Sequence, residues 1–304
     1  MVELQWVTTF LAVVEHQGFA RAADVLHCSQ PTVSNHVASL ERELGAPLLQ
    51  RYCRPVALTE AGAAFLPHGR ALVREFETAR SSVADVTGLR SGSVTLGAYA
   101  SAAAGYVPGL LRSFRKRHPR ITVRLVESRA DDLAQAALTG QVEIFLRPTT
   151  PPLSVASFAH QLLWRERYKV VLHHEHPLAA HAGPVPIDEL VNLPLIMTGH
   201  GELASPHHPL WRSLDRYPDP AYEVTHPQSL IELVRAGLGA GVTNEVSLNV
   251  SAVDGLEIRD ISADAAQRDV AVWWLTGRVP SPAARALVAA MRSGPRPCGV
   301  QPLA

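Results

Sequence analysis

The sequence predicts an α/β protein with an N-terminal winged helix-turn-helix and a long linker helix, followed by a larger α/β region. Three observations carry that prediction. Residues 20–62 read in succession as two short helices, a hairpin and a helix start. From Leu72 to Val86 apolar residues recur at alternating spacings of four and three. From Val94 onward, short apolar runs alternate with amphipathic ones.

The front of the chain is built from small and capping residues. Ala20, Ala22 and Ala23 allow a second helix to approach closely. The chain breaks at His27-Cys28-Ser29. Ser29 is a good N-cap, because its hydroxyl accepts from a free amide of the next turn, and Pro31 is tolerated where its missing donor would be unpaired anyway. A helix therefore starts near Gln30 and ends at Gly45. Val33, Val37, Leu40 and Leu44 form its apolar stripe, with Leu4, Phe10, Leu11 and Val14 expected opposite. The other face carries Gln30, Thr32, Asn35, His36 and Ser39, side chains of the length and hydrogen-bonding type that read base edges in a major groove. A polar face alone is only a solvated surface. The neighbouring segment gives it meaning: Leu48, Leu49, Arg51, Arg54 and Val56 read as a short hairpin with arginines at its tip, suited to phosphates. Thr59 then caps a long helix, with Glu60 at its positive end.

Composition bounds this reading. With 304 residues, 47% of them hydrophobic, the chain can bury a sizeable core in two or three domains. Lys+Arg and Asp+Glu are equal at 28 each, so no global basic field exists and local arginines must do any phosphate work. No apolar run approaches bilayer length, and MVELQWVTTF lacks the basic region and cleavage site of a signal peptide, so the expected location is cytoplasmic, without a membrane partner. Cys28, Cys53 and Cys298 form no C-x-x-C pair, which excludes a disulfide scaffold and a zinc spacing. Cys28 is expected to be small and buried. Cys53 is flanked by arginines that favour its thiolate, though redox sensing is the minor reading.

The front segment resembles the N-terminal domain of the LysR-type transcriptional regulators. Arg21-Ala22-Ala23, Leu26-His27, Ser29-Gln30-Pro31, Ser34, Leu40-Glu41, Glu43-Leu44-Gly45, Pro47-Leu48, Arg51 and Leu58-Thr59-Glu60-Ala61-Gly62 fall in one register. The resemblance implies a recognition helix inserted through Gln30, Pro31, Thr32 and Ser34, with Arg51 and Arg54 on the DNA backbone; Ser29, Asn35, His36 and Thr59 complete the expected DNA-binding set. One departure stands out. Members commonly carry an arginine or glutamine pair where this chain has Asn35-His36, and asparagine suits adenine where arginine suits guanine.

Beyond Thr59 a helical pattern continues through Phe65, Leu72, Phe76, Ala79, Val83 and Val86, a seam on which two chains can pair. Pro67 is expected to bend this helix without ending it. Gly88-Leu89-Arg90-Ser91-Gly92-Ser93 reads as a hinge. The expected domains are therefore 1–58, a linker helix over 59–89, and 90–304.

In the last of these, Val94–Gly97, Thr122–Glu127, Glu143–Leu146, Tyr168–Leu172, Leu195–Met197, Tyr222–Val224, Ala240–Val242 and Val270–Leu275 read as strands, in largely parallel sheets. Helices are expected near Gly105–His118, Asp131–Thr139, Ile187–Val191, Pro209–Arg216, Gln228–Ala236 and Pro282–Met291, and residues 294–304 as a disordered tail. Leu96-Gly97, Pro108, Phe114, His118-Pro119, Gly140, His176-Pro177-Leu178 and Ala236-Gly237-Leu238-Gly239 resemble the same family's effector domain. That resemblance implies a periplasmic-binding-protein-like domain of two Rossmann-like α/β subdomains, one from about 93–164 and 268–293 and the other from about 165–267, with a small-molecule effector in the cleft. Ser101 opens a helix after the first strand, and Arg147 follows a strand end, where a guanidinium can hold a carboxylate. Thr198 and Gln228 are their equivalents on the second subdomain, while Glu127 and Ser128 lie on the same rim.

Several signals are discounted. Gly237-Leu238-Gly239-Ala240-Gly241 follows a helix and enters a strand, the reverse of a dinucleotide fingerprint. His173-His174-Glu175-His176 has no fixed helical face for a metal, and His207-His208 is as weak. No G-x-S-x-G, H-E-x-x-H or phosphate loop occurs, so neither an enzyme nor a cofactor is expected. The resemblance implies a ligand-responsive DNA-binding regulator of an inverted-repeat operator, dimeric through the linker helix and tetrameric through its effector domains, with RNA polymerase as a further partner. The alternative is a solute-binding or α/β enzyme domain with an appended regulatory winged helix. It would need export or a catalytic constellation.

Overall fold

The computed structural model describes residues 2–50, 55–86, 92–153, 157–180, 183–198, 203, 205, 208–212 and 214–303. They fall into two compact units, 1–92 with 135–141, and 93–134 with 142–304.

In the first unit, α1 (Leu4–Glu15), α2 (Phe19–Val25) and α3 (Gln30–Leu44) pack around Val7, Phe10, Val13, Ala22, Ala23, Val33, Val37 and Leu40. The α3 stripe stops one turn short of the expectation, since Leu44 is exposed at the helix end. Leu4, Leu11 and Val14 are only half-buried, so Val7 and Val13 do much of the work expected of them. Gly45 terminates α3 at φ +71, a left-handed conformation that a side chain would strain. The short strands β1 (Leu49–Gln50) and β2 (Ala57–Leu58) pair antiparallel. Arg51, Cys53 and Arg54 lie outside the described residues, as do the hinge residues 88–91. Cys28 is exposed, contrary to expectation, because the turn between α2 and α3 presents it to solvent.

The helix α4 (Glu60–Val86) runs through Pro67 without ending. Its first turns belong to the domain core: Phe65 packs edge-on against Phe10 at 5.6 Å, so Phe65 is not part of an open seam. Further along, Leu72, Phe76 and Val83 are exposed.

The rest of the chain forms one sheet system of two lobes. In chain order its elements are β3 (Gly92–Ala98), α5 (Ala100–Gly105), α6 (Val107–Arg117), β4 (Ile121–Glu127), α7 (Ala130–Leu138), β5 (Ile144–Pro148) and β6 (Phe158–His173). There follow β7 (Val185–Pro186), α8 (Ile187–Leu190), β8 (Leu195–Thr198), β9 (Tyr222–Val224), α9 (Pro227–Arg235), β10 (Ala240–Asn244), α10 (Glu245–Leu248), β11 (Leu256–Ser262), β12 (Gln267–Leu275), α11 (Pro282–Ser293) and β13 (Gln301–Pro302). The strand order is β4-β3-β5-β12-β6-β10-β8-β9, with β11 and β13 also on β6 and β7 on β11. Pairing is parallel for β3 with β5 and for β8 with β9 and β10, but antiparallel wherever β6 or β12 joins its neighbours on that path.

The strand β6 is 16 residues long and serves both lobes. Its first part pairs with β12 through Phe158 to Arg167, and its last part pairs with β10 and β11. One core, around Leu96, Tyr106, Leu110, Phe114, Trp164 and Leu287, lies in the first lobe. Another, around Leu172, Leu195, Leu210 and Trp211, lies in the second.

Three expectations need correction here. The helix expected over 209–216 is a single 3₁₀ turn, Pro209–Trp211, held by the Trp211 indole N–H donating to Leu203 O at 2.6 Å. The first ten residues of β6 and all of β11 are further strands: β6 holds His160, Arg165, Glu166 and Arg167 among its apolar residues, whereas β11 alternates Leu256 and Ile258 with Glu257 and Arg259. The segment from 294 is ordered: β13 pairs antiparallel with β6 at Arg165 and Trp164, Arg296 Nε donates to Leu163 O, and Asn249 Nδ2 donates to Cys298 O at 2.7 Å. Among the described residues, no helix is long and apolar enough to cross a membrane.

Candidate DNA-reading helix and ligand cleft

The start of α3 is built from its own cap. Ser29 Oγ accepts from Thr32 N at 3.3 Å and lies 2.7 Å from Thr32 Oγ1, so both hydroxyls are engaged with each other. Gln30, Pro31 and Asn35 are exposed, and Thr32 and Ser34 half-buried beside them. His36 differs from the expectation. Its Nδ1 is 3.0 Å from Thr9 Oγ1, and Thr9 donates its one hydroxyl hydrogen to Gln5 O at 2.8 Å. Thr9 must then accept from His36, which fixes the hydrogen on Nδ1 and leaves an acceptor on Nε2. His36 is thus a bridge between α1 and α3 rather than a free reader.

Thr59 is likewise engaged by the fold. It donates to Pro47 O at 2.7 Å and accepts from Gly62 N at 3.0 Å, the cap of α4. A Cβ on Gly62 would meet Leu48 O at 2.0 Å, so only glycine lets α4 press on the strand leading into the wing. Glu41, on α3, accepts from Leu48 N and Leu49 N at 2.8 and 3.2 Å and ties the wing to the reading helix. Its place in the matching motif was visible in the sequence; its partners were not.

Between the two lobes of the larger unit lies a cavity of about 340 Å³. It sits at the carboxyl ends of the parallel strands, where α/β sheets leave crevices. Tyr99 to Ser101 follow β3, Glu127 ends β4 with Ser128 to Asp131 after it, and Pro148 ends β5; Thr198 ends β8, Thr225 to Pro227 follow β9, and Asn244 ends β10. Ser101, Ser128 and Thr198 therefore share one cavity. Gln228 lies beside it, in an adjoining hollow of about 220 Å³. Arg147 is corrected: its guanidinium is buried, donates to Pro148 O at 2.9 Å and Pro151 O at 2.7 Å, and pairs with Asp131 at 3.3 Å, outside the cavity lining formed by the described residues. At the rim, His226 of the second lobe lies 4.0 Å from Glu127 of the first.

A different arginine lines the cavity. Arg268 of β12 stands opposite Glu166 of β6 in register, and its Nε donates to Glu166 Oε1 at 2.7 Å. The Glu166 side chain is 0% exposed and that of Arg268 12%. The guanidinium carbon lies 5.3 Å from the Tyr99 ring centre and 5.6 Å from that of Tyr168, within cation–π reach. Burial pushes the Glu166 carboxyl up, and the Arg268 charge pulls it partly back. Burial also works against the charge on Arg268, yet Glu166, Tyr168 and Tyr99 more than offset it and hold its pKa well above the ordinary arginine value. Behind Tyr168 sits His208, whose Nδ1 accepts from Leu210 N at 3.2 Å; its Nε2–H then donates to the Tyr168 hydroxyl at 3.2 Å. Burial, with the Arg268 charge, lowers the His208 pKa to about 4.

The sequence offered only a faint signal for Arg268, a lone arginine two residues before an apolar run. Asn244 and Ser247 were also missed. Asn244 Oδ1 accepts from Ser247 N at 3.0 Å, and the Ser247 hydroxyl is buried without a hydrogen-bond partner among the described residues. Elsewhere, donor atoms of His173, His174 and Glu175 lie within 4.8 Å of one another at the turn after β6, where His173 Nδ1 already accepts from Glu175 N.

A helix-turn-helix with a wing, and a two-lobed domain with a cleft at its strand ends, define a regulator class. Residues 4–63 match the bacterial regulatory helix-turn-helix protein model of the lysR family, and residues 87–296 match the LysR substrate binding domain. The chain belongs to the LysR family of transcriptional regulators. It is 32% identical to the probable cat1 operon transcriptional activator of Acinetobacter lwoffii, over 79% of this chain and 80% of that one. It is 28% identical to the transcriptional regulator YvbU of Bacillus subtilis, with the same coverage. Among solved structures, a full-length cysteine-to-aspartate variant of OxyR from Pseudomonas aeruginosa superposes with a TM-score of 0.75 at 21% identity, covering 97% of this chain and 96% of that one. Full-length CbnR complexed with its target DNA gives 0.68 at 21% identity, covering 95% and 99%.

Proposed function

We propose that this chain is a cytoplasmic, non-enzymatic transcription regulator that reads an inverted-repeat operator and responds to a small-molecule effector. The observation that carries the reading is the cavity lined by both lobes, in a chain that also bears a capped helix with Gln30, Pro31 and Asn35 exposed on its first turns. Gln30 and Asn35 meet base edges, and Ser34 lies close behind them. Arg51 and Arg54 contact phosphates, a role supported for Arg51 by the family motif it completes. Two chains pair along α4, where Leu72, Phe76 and Val83 stand exposed at coiled-coil spacing, and effector domains associate into a tetramer. Ser101, Ser128 and Thr198 contact the effector, with Gln228 at its edge. Effector entry changes the lobe angle, and the operator complex reads this as a change of bend and of access for RNA polymerase. The domain limits 1–58, 59–89 and 90–304 belong to the same proposal.

A footprint of the purified protein on the DNA upstream of its own coding region, over a salt series, tests the reading. Protection of an inverted repeat, lost in Gln30→Ala or Ser34→Ala with the fold intact, is the expected result. Binding that is uniformly salt-sensitive and indifferent to both changes overturns direct readout.

A further inference from the structure

The geometry points to an organic monocarboxylate as the ligand class of the cleft, its oxygens held by Arg268, Asn244 and Ser247. This rests on the reading of the cavity as the effector site. It replaces Arg147, the arginine that sequence position favours, with one that the fold places at the cavity wall.

The inner wall of the cavity presents fixed donors. Arg268 commits Nε to Glu166 and is held between two tyrosine rings, so its remaining N–H groups are fixed in place before any ligand arrives. Asn244 commits its carbonyl oxygen to Ser247 N, which leaves its amide hydrogens as donors; it is 4% exposed. Ser247 is 1% exposed, and its hydroxyl meets no partner among the described residues although it lines the cavity. A buried hydroxyl without a partner costs stability unless something supplies one. The inner wall is therefore rich in donors, and the complement is a group with only acceptors.

Charge narrows the choice. Glu166 already neutralises Arg268, so a bound anion depends on neutral donors as well as on the guanidinium, and these are what Asn244, Ser247 and Ser101 provide. At the outer rim Glu127 and Asp131 face the same cavity as Arg129, and Asp131 is paired with Arg147, so the rim offers no net positive charge to hold a second negative group. The volume, about 340 Å³, is at the small end for ligand pockets. A single carboxylate on a small uncharged body satisfies all three conditions.

The test uses the full chain and three acid and amide pairs: butyrate with butyramide, benzoate with benzamide, and cyclohexanecarboxylate with its carboxamide. Binding is read by ligand-observed NMR at pH 7.5. In at least one pair the acid is expected to bind about tenfold more tightly than the amide. Asn244→Asp keeps the acceptor for Ser247 N but puts a negative charge on the wall, so it is expected to abolish the acid preference while an unchanged melting temperature reports an intact fold. Ser247→Ala should reduce the preference by about threefold. Acids binding no better than amides in every pair overturn the proposal, as does a preference that survives Asn244→Asp. Thr225→Trp, at an exposed position on the cavity lining, separates the two failures. If it blocks acids and amides alike while neither is preferred, the cleft remains the ligand site and the carboxylate assignment falls. Binding of every compound untouched by it removes the cleft reading as well.

Discussion

Arg268 and Glu166 face each other across β12 and β6, joined Nε to Oε1 at 2.7 Å, on the strand that serves both lobes and its neighbour. Breaking a buried pair from one side leaves a charge without a partner, whereas replacing both sides removes the problem. Arg268→Met is therefore expected to destabilise the protein by about 3–5 kcal/mol, with Glu166→Met similar and the double variant much closer to the parent. Urea denaturation of the three variants gives the coupling directly. Additive losses would mean that the pair is not the contact holding these strands.

The reading helix should separate binding from stability. Asn35 is exposed, so Asn35→Ala is expected to weaken specific binding by about 1–3 kcal/mol while leaving the melting curve unchanged. Thr9→Val removes the acceptor of His36 Nδ1 and is expected to cost about 1 kcal/mol of stability. It touches no exposed surface of α3. Gel-shift titrations paired with thermal melts distinguish the two effects, and a Thr9→Val variant as stable as the parent would contradict the assigned bridge.

His208 predicts a loss of stability in mild acid. Its pKa falls from 6.5 when unfolded to about 4 when folded, so between those values the unfolded chain binds the extra proton. Stability is full above about pH 6.5 and declines as pH falls towards 4, by about 3 kcal/mol in all. His208→Gln should flatten that decline. Denaturation midpoints at pH 7.5, 6 and 5 measure it, and parallel slopes for parent and variant would assign the acid sensitivity elsewhere.

The final segment should matter for stability. Truncation after Ser293 deletes the β13 pairing and the bonds of Arg296 and Cys298, and is expected to lower stability by about 2 kcal/mol and Tm by about 4–8 °C. A Tm unchanged within about 1 °C would show that the segment rests on β6 without supporting it.

On α4, Phe76 is exposed, and Phe76→Lys is expected to shift the sedimentation profile from tetramer to dimer, the effector-domain association remaining, while leaving each chain folded. An unchanged profile would place the pairing surface elsewhere.

Much of this architecture was legible, for local reasons. The cap at Ser29, the stripe of Val33, Val37 and Leu40, and the apolar strands β3, β8 and β10 are written in neighbouring residues, and those signals survive folding. What escaped was non-local. Residues 158–167 of β6 hold arginine, glutamate and histidine among their apolar side chains, and only the opposite strand explains them, since Arg165 pairs with Asp269 and Glu166 with Arg268. Arg147 was misplaced for the same reason: a strand end fixes where a residue lies but not that Pro151 will return to accept from it. The tail, rich in proline and glycine, was misread because composition cannot see the free edge of β6 that receives it.

The sharing of β6 has a consequence for how the protein is made. The second lobe is continuous in the chain, from the end of β6 to β11, and all its strands are synthesised before β12. The first lobe waits, since its sheet needs β12 and its core needs Leu287 and Met291 of α11. During that interval one edge of β5 and the first half of β6 have no neighbour. The charged side chains of residues 165–167 then serve a nascent chain as well as a folded one, because they discourage that waiting edge from pairing with another chain.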